Sequence, residues 1–180
     1  MRKAAVFLDG GYLDWVQREF GGLRLDYTKL CNELVGKEVE RIRTYYYHCA
    51  PYQSPRPTRD ESARYASFRS FADGLQRLPR FETRLGRLAR RDSGFEQKGV
   101  DVLLSVDLVR MSWSRQIDSA VLLTGDSDFV PAVQAAKDAG VVVRLYYART
   151  SRTSVHHELL KACDETIEMG ADFLSQFVRT

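Results

Sequence analysis

Short apolar runs alternate with helical patterns along almost the whole chain, and this alternation restricts the fold more than any other feature. Residues 3–8, 39–49, 117–124 and 141–148 are rich in β-branched, aliphatic or aromatic side chains, the signature of strands buried on both faces. Helical spacing fills the gaps between them. Tyr12, Trp15, Val16 and Phe20 share one face, and Asp26 stands as the cap of a second helix carrying Leu30, Cys31 and Leu34. Thr58 and Glu61 match a capping box ahead of Phe68, Phe71, Ala72 and Leu75. Phe81, Thr83 and Leu85 then alternate as in an edge strand, and residues 90–94 read as a polar turn. Val102, Val106, Val109 and Trp113, spaced i, i+4, i+7 and i+11, predict the packed face of a further helix, and Gly140 terminates another. The pattern predicts a single α/β domain over residues 1–180, a doubly wound and mostly parallel sheet with helices on both faces.

In such a sheet, ligands bind beyond the C-terminal ends of the strands, where the strand order reverses. Asp9 ends the first run, Gly125-Asp126-Ser127-Asp128 follows the run at 117–124, and Asp101 lies in the first turn of a helix facing the same edge. If those two runs are neighbouring strands, four carboxylates converge. Aspartates without histidines suit Mg²⁺ or Mn²⁺ better than zinc, and a cation offsets the repulsion that crowds their pKa values upward. A metal so held activates water and stabilises a leaving oxygen, which makes phosphodiester hydrolysis the natural chemistry. Capping is the competing role for Asp126 and Asp128, and dipole compensation for Asp101. Asp9 has no such easy alternative, because aspartate is depleted in strands.

The formal net charge is only +3, but residues 56–98 hold eleven basic side chains against six acidic ones, ten of the eleven being arginine. Guanidinium groups suit a phosphate backbone, although a solvated helix and an arginine-rich strand edge would have the same composition. Cys31, Cys49 and Cys163 form no CxxC pair, and no apolar run approaches the ~20 residues of a membrane helix, which predicts a reducing, cytoplasmic setting without a membrane. His48-Cys49 lacks a second ligand pair, His156-His157 reads as a solvated or capping feature, and Trp15, Trp113 and Tyr45-Tyr46-Tyr47 read as packing residues.

Three motifs in order, Val6-Phe7-Leu8-Asp9-Gly10-Gly11-Tyr12-Leu13, Lys98-Gly99-Val100-Asp101-Val102 and Thr124-Gly125-Asp126-Ser127-Asp128-Phe129 with Pro131, resemble those of NYN-domain proteins of the LabA/DUF88 type, relatives of the PIN nucleases. The resemblance runs from about Lys3 to Met169. It implies a PIN-like fold and a Mg²⁺- or Mn²⁺-dependent ribonuclease whose acidic residues carry over onto Asp9, Asp101, Asp126 and Asp128, with Lys98 as a substrate-phosphate contact. Tyr12 departs from the asparagine common in the first motif, which alters a polar contact expected to help position the metal shell or substrate. Asp107 matches a frequent family position, yet six residues beyond Asp101 it points about 120° away around the helix, so a supporting or structural role is expected.

The reading these residues favour is an RNA-cleaving enzyme acting on single-stranded or structured RNA, with the arginine-rich stretch holding the backbone. Two alternatives use the same framework: an RNA-binding regulator that has lost turnover, and a haloacid-dehalogenase-like phosphatase. The phosphatase requires Asp-x-Asp in its first motif, and Gly11 stands where the second acid belongs. A homo-oligomer or a protein partner is left open.

Overall fold

The computed structural model describes residues 1–91, 94–150 and 155–179, with the backbone alone for 87–91 and 94–98. Seven strands form one sheet: β1 (Arg2–Asp9), β2 (Val39–Cys49), β3 (Phe81–Arg91), β4 (Gly94–Lys98), β5 (Ser119–Leu123), β6 (Val142–Tyr147) and β7 (Glu165–Glu168). Their order is β4-β3-β2-β1-β5-β6-β7, and every neighbouring pair is parallel except β3 with β4. The chain therefore moves outward from β1 in one direction through β2 and β3, returns to β5 on the other side of β1, and continues outward. The reversal of strand order falls between β1 and β5.

Alternation along each strand divides the core into two layers. Ala4, Val6 and Leu8 of β1 join Val121, Leu123 and Tyr46 beneath α1 (Gly10–Glu19), α2 (Tyr27–Val35) and α3 (Arg59–Gln76). Ala5 and Phe7 join Tyr45, Tyr47, Leu122 and Leu145 on the opposite face, beneath α4 (Val100–Trp113), α5 (Val130–Asp138) and α6 (His157–Ala162). A last short helix, α7 (Ala171–Ser175), returns to the first layer through Leu174. Buried on both faces, β1 and β5 have no polar face to present, which is why they read as continuous apolar runs.

Local signals place the helix ends. Asp26 accepts bonds from the amides of Thr28 and Lys29 at the start of α2, and Thr58 with Glu61 forms the full reciprocal capping box of α3. Gly140 adopts a φ of 84° just after α5, a conformation that favours glycine.

Two expectations fail, each for a physical reason. The stripe Val102, Val106, Val109 and Trp113 does not face the core: Val102, Val106 and Trp113 are 64%, 56% and 62% exposed. The buried face is Val100, Leu104, Asp107, Leu108 and Met111, which fits the same helical period but is disguised by the aspartate in its middle. Phe81, Thr83 and Leu85 pair with β2 alone, the edge position their alternation implies, because β4 joins β3 only at Arg87–Arg91. Residues 90–94 are not one turn: Arg91 is still in β3 and Gly94 begins the antiparallel edge strand β4. A further edge strand, β7, follows the run at 141–148; it is mostly exposed and has a single apolar side chain, Ile167.

The start of α1 packs against β2 with no room to spare. A methyl group at Gly10 would lie 2.6 Å from the His48 ring and from the hydroxyl end of Tyr46. Overpacking of this kind costs about 1–3 kcal/mol, against roughly 0.5–1 kcal/mol of helix propensity gained by alanine. Gly10→Ala is therefore expected to lower the melting temperature by about 2–8 °C in a thermal unfolding scan, given roughly 2–4 °C per kcal/mol at this chain length.

Candidate metal centre and its surroundings

At the β1–β5 reversal, Asp9 ends β1 and caps α1. Its Oδ1 accepts from the Tyr12 amide at 3.1 Å, and its Oδ2 accepts from the Thr124 hydroxyl at 2.9 Å. Thr124 is wholly buried, so the side chain at the tip of β5 ties that strand to the tip of β1. Burial raises the Asp9 carboxyl above its ordinary range, and the negative charge of Asp126 pushes in the same direction. The bonds from Tyr12 and Thr124 and the His48 imidazole oppose the rise.

Asp126 follows the tip of β5 and caps a 3₁₀ turn, Ser127–Phe129, its Oδ1 accepting from the Asp128 amide at 2.9 Å. Both carboxylates are exposed. Asp101 occupies the first turn of α4, and its carboxyl is also raised, by partial burial first and then by the charges of Asp9, Asp126 and Asp128. Asp101 thus feels the charges of the other three aspartates, and Asp9 that of Asp126, at a single edge of the sheet. Among the described residues, no three His, Cys, Asp or Glu side chains are grouped closely enough to hold an ion as they stand. The donor set nonetheless fits a hard divalent cation, because the oxygens already bonded keep further lone pairs and the exposed Asp126 and Asp128 side chains have room to swing inward.

The chain matches the model of the NYN domain over residues 3–170. It belongs to the NYN family. NYN domains are PIN-like nucleases, which brings a nuclease-type hydrolase into view on grounds independent of the aspartates. The match to curated relatives covers less: 40% identity over 83 residues with the uncharacterized protein y4oD of Sinorhizobium fredii, and 31% over 86 residues with the uncharacterized protein MJ0482 of Methanocaldococcus jannaschii. Each of these segments is 46% of this chain, and they span 39% and 35% of those relatives' own lengths. A crystal structure of a protein of unknown function, VPA0982 from Vibrio parahaemolyticus, superimposes with a TM-score of 0.69 over 96% of both chains at 20% identity, which shows a shared fold.

Within this NYN domain the remaining predicted residues divide clearly. Asp107 is buried beneath α4, where its carboxylate accepts bonds from the Tyr47 hydroxyl, Arg84 and Arg110. It faces the core. Lys98 is the last residue of β4, and its side chain lies outside the described residues, as do those of Arg87, Arg90 and Arg91. Tyr12 turns away from a metal-shell role: its hydroxyl donates to the Ala148 carbonyl and accepts from the Ala148 amide, 2.9 Å away, at the end of β6. Its ring also presses on Gly125, where a methyl group would lie 2.7 Å from Tyr12 Cε2. The Gly-Asp motif needs its glycine because the tyrosine occupies that space. His156 caps α6 through its backbone position, as expected, and its amide donates to the Gly125 carbonyl. The cysteines form no disulfide and are buried; burial pushes the Cys31 thiol up to about 12 and the Cys163 thiol up to about 11, so neither supplies a thiolate.

One pair escaped the sequence reading. His48, one residue beyond the register partner of Asp9 on β2, places Nε2 3.0 Å from Asp14 Oδ2 on α1 and Nδ1 2.8 Å from the Cys49 carbonyl. Both neighbours are acceptors, so the ring satisfies both contacts only when both nitrogens carry protons. Burial pulls its pKa down, but the bonds to Asp14 and Cys49 and the charges of Asp14 and Asp9 outweigh it and raise the value above 6.5. A group whose pKa is raised on folding contributes stability below its unfolded value and loses that contribution as pH rises through the folded one. Raised carboxyls at Asp9 and Asp101 act in the same direction at lower pH, because they cost stability once ionised. Melting temperature is accordingly expected to fall between about pH 6 and pH 8, below the range where cysteine and tyrosine ionise. Asp14→Asn should flatten that fall in the same scan, whereas an unchanged slope would remove His48 as its source.

Proposed function

We propose that this NYN domain is a metal-dependent ribonuclease, and that Asp9, Asp101, Asp126 and Asp128 hold the Mg²⁺ or Mn²⁺ it uses. The supporting observation is the crowding of Asp9 by Asp126, and of Asp101 by Asp9, Asp126 and Asp128, at the reversal of strand order, with the half-buried Asp9 fixed there by two hydrogen bonds. Four like charges on one sheet edge are unfavourable without a cation, and this edge is where doubly wound sheets bind ligands. When bound, the ion would polarise the phosphoryl oxygen and lower the pKa of a water. The chain's own residues do the rest. Thr124 and the Tyr12 amide fix the orientation of Asp9, and the Asp128 amide fixes that of Asp126. Exposed arginines on α3, among them Arg64 and Arg69, are proposed to hold the phosphate backbone. Lys98 is proposed as a further phosphate contact. The motif spellings favour the LabA/DUF88 branch, and a cytoplasmic setting fits three reduced, buried cysteines.

The second reading, an RNA-binding regulator without turnover, draws on the carboxylates standing apart until an ion gathers them. A labelled mixed-sequence RNA incubated with purified protein in Mn²⁺, Mg²⁺ or EDTA separates the two. Metal-dependent cutting that Asp126→Asn loses supports the nuclease. RNA binding without cutting in any metal, by protein that melts cooperatively, selects the regulator.

A further inference from the structure

The end of the sheet opposite the aspartates holds a buried charge. Ala4 of β1 pairs with Arg41 of β2, but Ala5 pairs with Arg43, so Ile42 is an extra residue in the ladder. Regular alternation would put Ile42 on the same face as Thr44 and Tyr46, the face covered by α1, α2 and α3. The bulge instead sends Ile42 to the opposite layer and turns Arg41 in beneath α2, where it is 8% exposed.

Among the described residues no carboxylate pairs with this guanidinium. Its Nε donates to Asn32 Oδ1 at 2.9 Å, its Nη1 to the Thr44 hydroxyl at 2.9 Å and its Nη2 to the Pro79 carbonyl at 3.4 Å, and it lies 5.0 Å from the centre of the Phe81 ring. All these neighbours are neutral. Of an arginine's five N–H donors, one on each terminal nitrogen is left over. Burial pulls its pKa down and the Arg80 charge adds to that pull; only the Cys31 thiol opposes it. The C-terminal end of α2 lends at most about half a negative charge, and its Leu34 carbonyl already accepts from Arg144 and Tyr146. Buried charges are ordinarily paired, because their loss of hydration is otherwise uncompensated. A bulge that displaces an isoleucine and buries an unpaired cation is unfavourable twice over for stability, which marks Arg41 as placed for a ligand.

Arg41 lines an open cavity of about 680 Å³, within the roughly 300–1,000 Å³ usual for small-molecule sites. Lys29, Lys37 and Arg80 line it too, against Glu33 and Glu40, which leaves an excess of two positive charges. Glu40 is taken by Arg80, whose Nη2 lies 2.9 Å from its Oε1 and whose Nη1 donates to the Arg41 carbonyl. Arg41 stands beside Ala4, five residues before Asp9 on β1, a distance of about 16 Å along the sheet. The cavity is therefore separate from the candidate metal centre.

We propose that this cavity is a binding site for a small phosphorylated molecule, with Arg41 as the buried anchor of its phosphate and Lys29 and Lys37 at the mouth. A phosphomonoester dianion matches the excess of two positive charges and offers three terminal oxygens to donors from several sides. A carboxylate has two oxygens and one charge, and a phosphodiester of a nucleic-acid backbone also has one charge. The site stands whether or not the domain cuts RNA. Its occupant supplies the counter-charge that Arg41 lacks, so binding stabilises the fold.

The test is titration of inorganic phosphate and of ribose 5-phosphate, with ribose as the uncharged control, into the full chain in EDTA at constant ionic strength, read by calorimetry, melting temperature and backbone-amide NMR shifts. Both phosphates should bind saturably and raise the melting temperature, and ribose should do neither. Shifted amides should cluster at 28–41 and 80–81 and leave 124–128 unmoved. Arg41→Gln should weaken ribose 5-phosphate by about tenfold or more. Replacing the exposed Lys29 and Lys37 together by alanine, which leaves the core untouched, should weaken it by about threefold or more. Absence of saturable binding, equal binding of ribose, or shifts centred on 124–128 would overturn the site. So would an affinity unchanged in the double lysine variant, or in an Arg41→Gln protein whose melting scan shows it folded.

Discussion

Asp9→Asn is expected to reduce metal-dependent RNA cleavage by at least about 100-fold, corresponding to some 2.7 kcal/mol of lost transition-state stabilisation, while leaving the protein as stable as before or more so. The two halves of this expectation come from the same environment. Asparagine keeps an oxygen that caps α1 through the Tyr12 amide, and its amide group remains in reach of the Thr124 hydroxyl. The fold therefore loses little. What disappears is a buried negative charge that burial and Asp126 already disfavour, so the metal-free variant no longer carries the cost of ionising it. A cation, by contrast, loses the one ligand fixed at the centre of the cluster. Initial rates in saturating Mn²⁺, beside melting scans in EDTA, measure both halves. Undiminished cleavage would remove Asp9 from the site, and a large drop in melting temperature would show its charge to be structural.

Asp107→Ala should behave in the opposite way. Asp107, on the inner face of α4, is the partner of the Tyr47 hydroxyl at 3.0 Å and of Arg84 and Arg110. Alanine leaves the fully buried Tyr47 hydroxyl without an acceptor, at a cost of about 1–3 kcal/mol, and opens a small void besides. The two arginines are more than a third exposed and are resolvated, so they add little. The expected destabilisation is about 2–3 kcal/mol, or some 4–12 °C. Cleavage per folded molecule should remain near that of the parent protein at a temperature where both are folded. A stable but inactive Asp107→Ala variant would mean that the two aspartates of α4 are assigned the wrong way round.

Much of this architecture is legible in the sequence because its determinants are local. Asp26, Thr58 with Glu61, and Gly140 each mark a helix end within four residues of the bond or turn they make. The apolar runs that become β1, β2, β5 and β6 announce burial on both faces, and their termini locate Asp9 and Asp126 on the edge where ligands bind. The misreadings occur where two patterns share one period or where no pattern exists. On α4, the stripes through Val102 and through Leu104 both satisfy the helical template, and only the strands beneath decide between them. The edge strands β4 and β7 are five and four residues long and contain few apolar side chains, so neither produces an apolar run.

Contacts remote in sequence are the other blind spot. His48 meets Asp14 across 34 positions, and Tyr12 meets Ala148 across 136. Seen only as a departure from the asparagine in its motif, Tyr12 suggested an altered metal shell. In the fold it is a strut between α1 and the end of β6, and the glycine of the Gly-Asp motif makes room for its ring. Thr124 was visible as part of that motif, but its bond to Asp9 depends on β5 lying beside β1.

The central claim is that these four aspartates form one cation site, and titration of Mn²⁺ into the metal-free protein, followed by calorimetry in buffers of differing ionisation heat, tests it most directly. The account predicts a saturable site at which Mn²⁺ competes with protons for the raised carboxyls of Asp9 and Asp101, so that binding weakens and releases more protons as the pH is lowered, and that Asp9→Asn and Asp126→Asn each weaken by about 10-fold or more. Absence of saturable binding, or binding of equal strength in both variants, would contradict it.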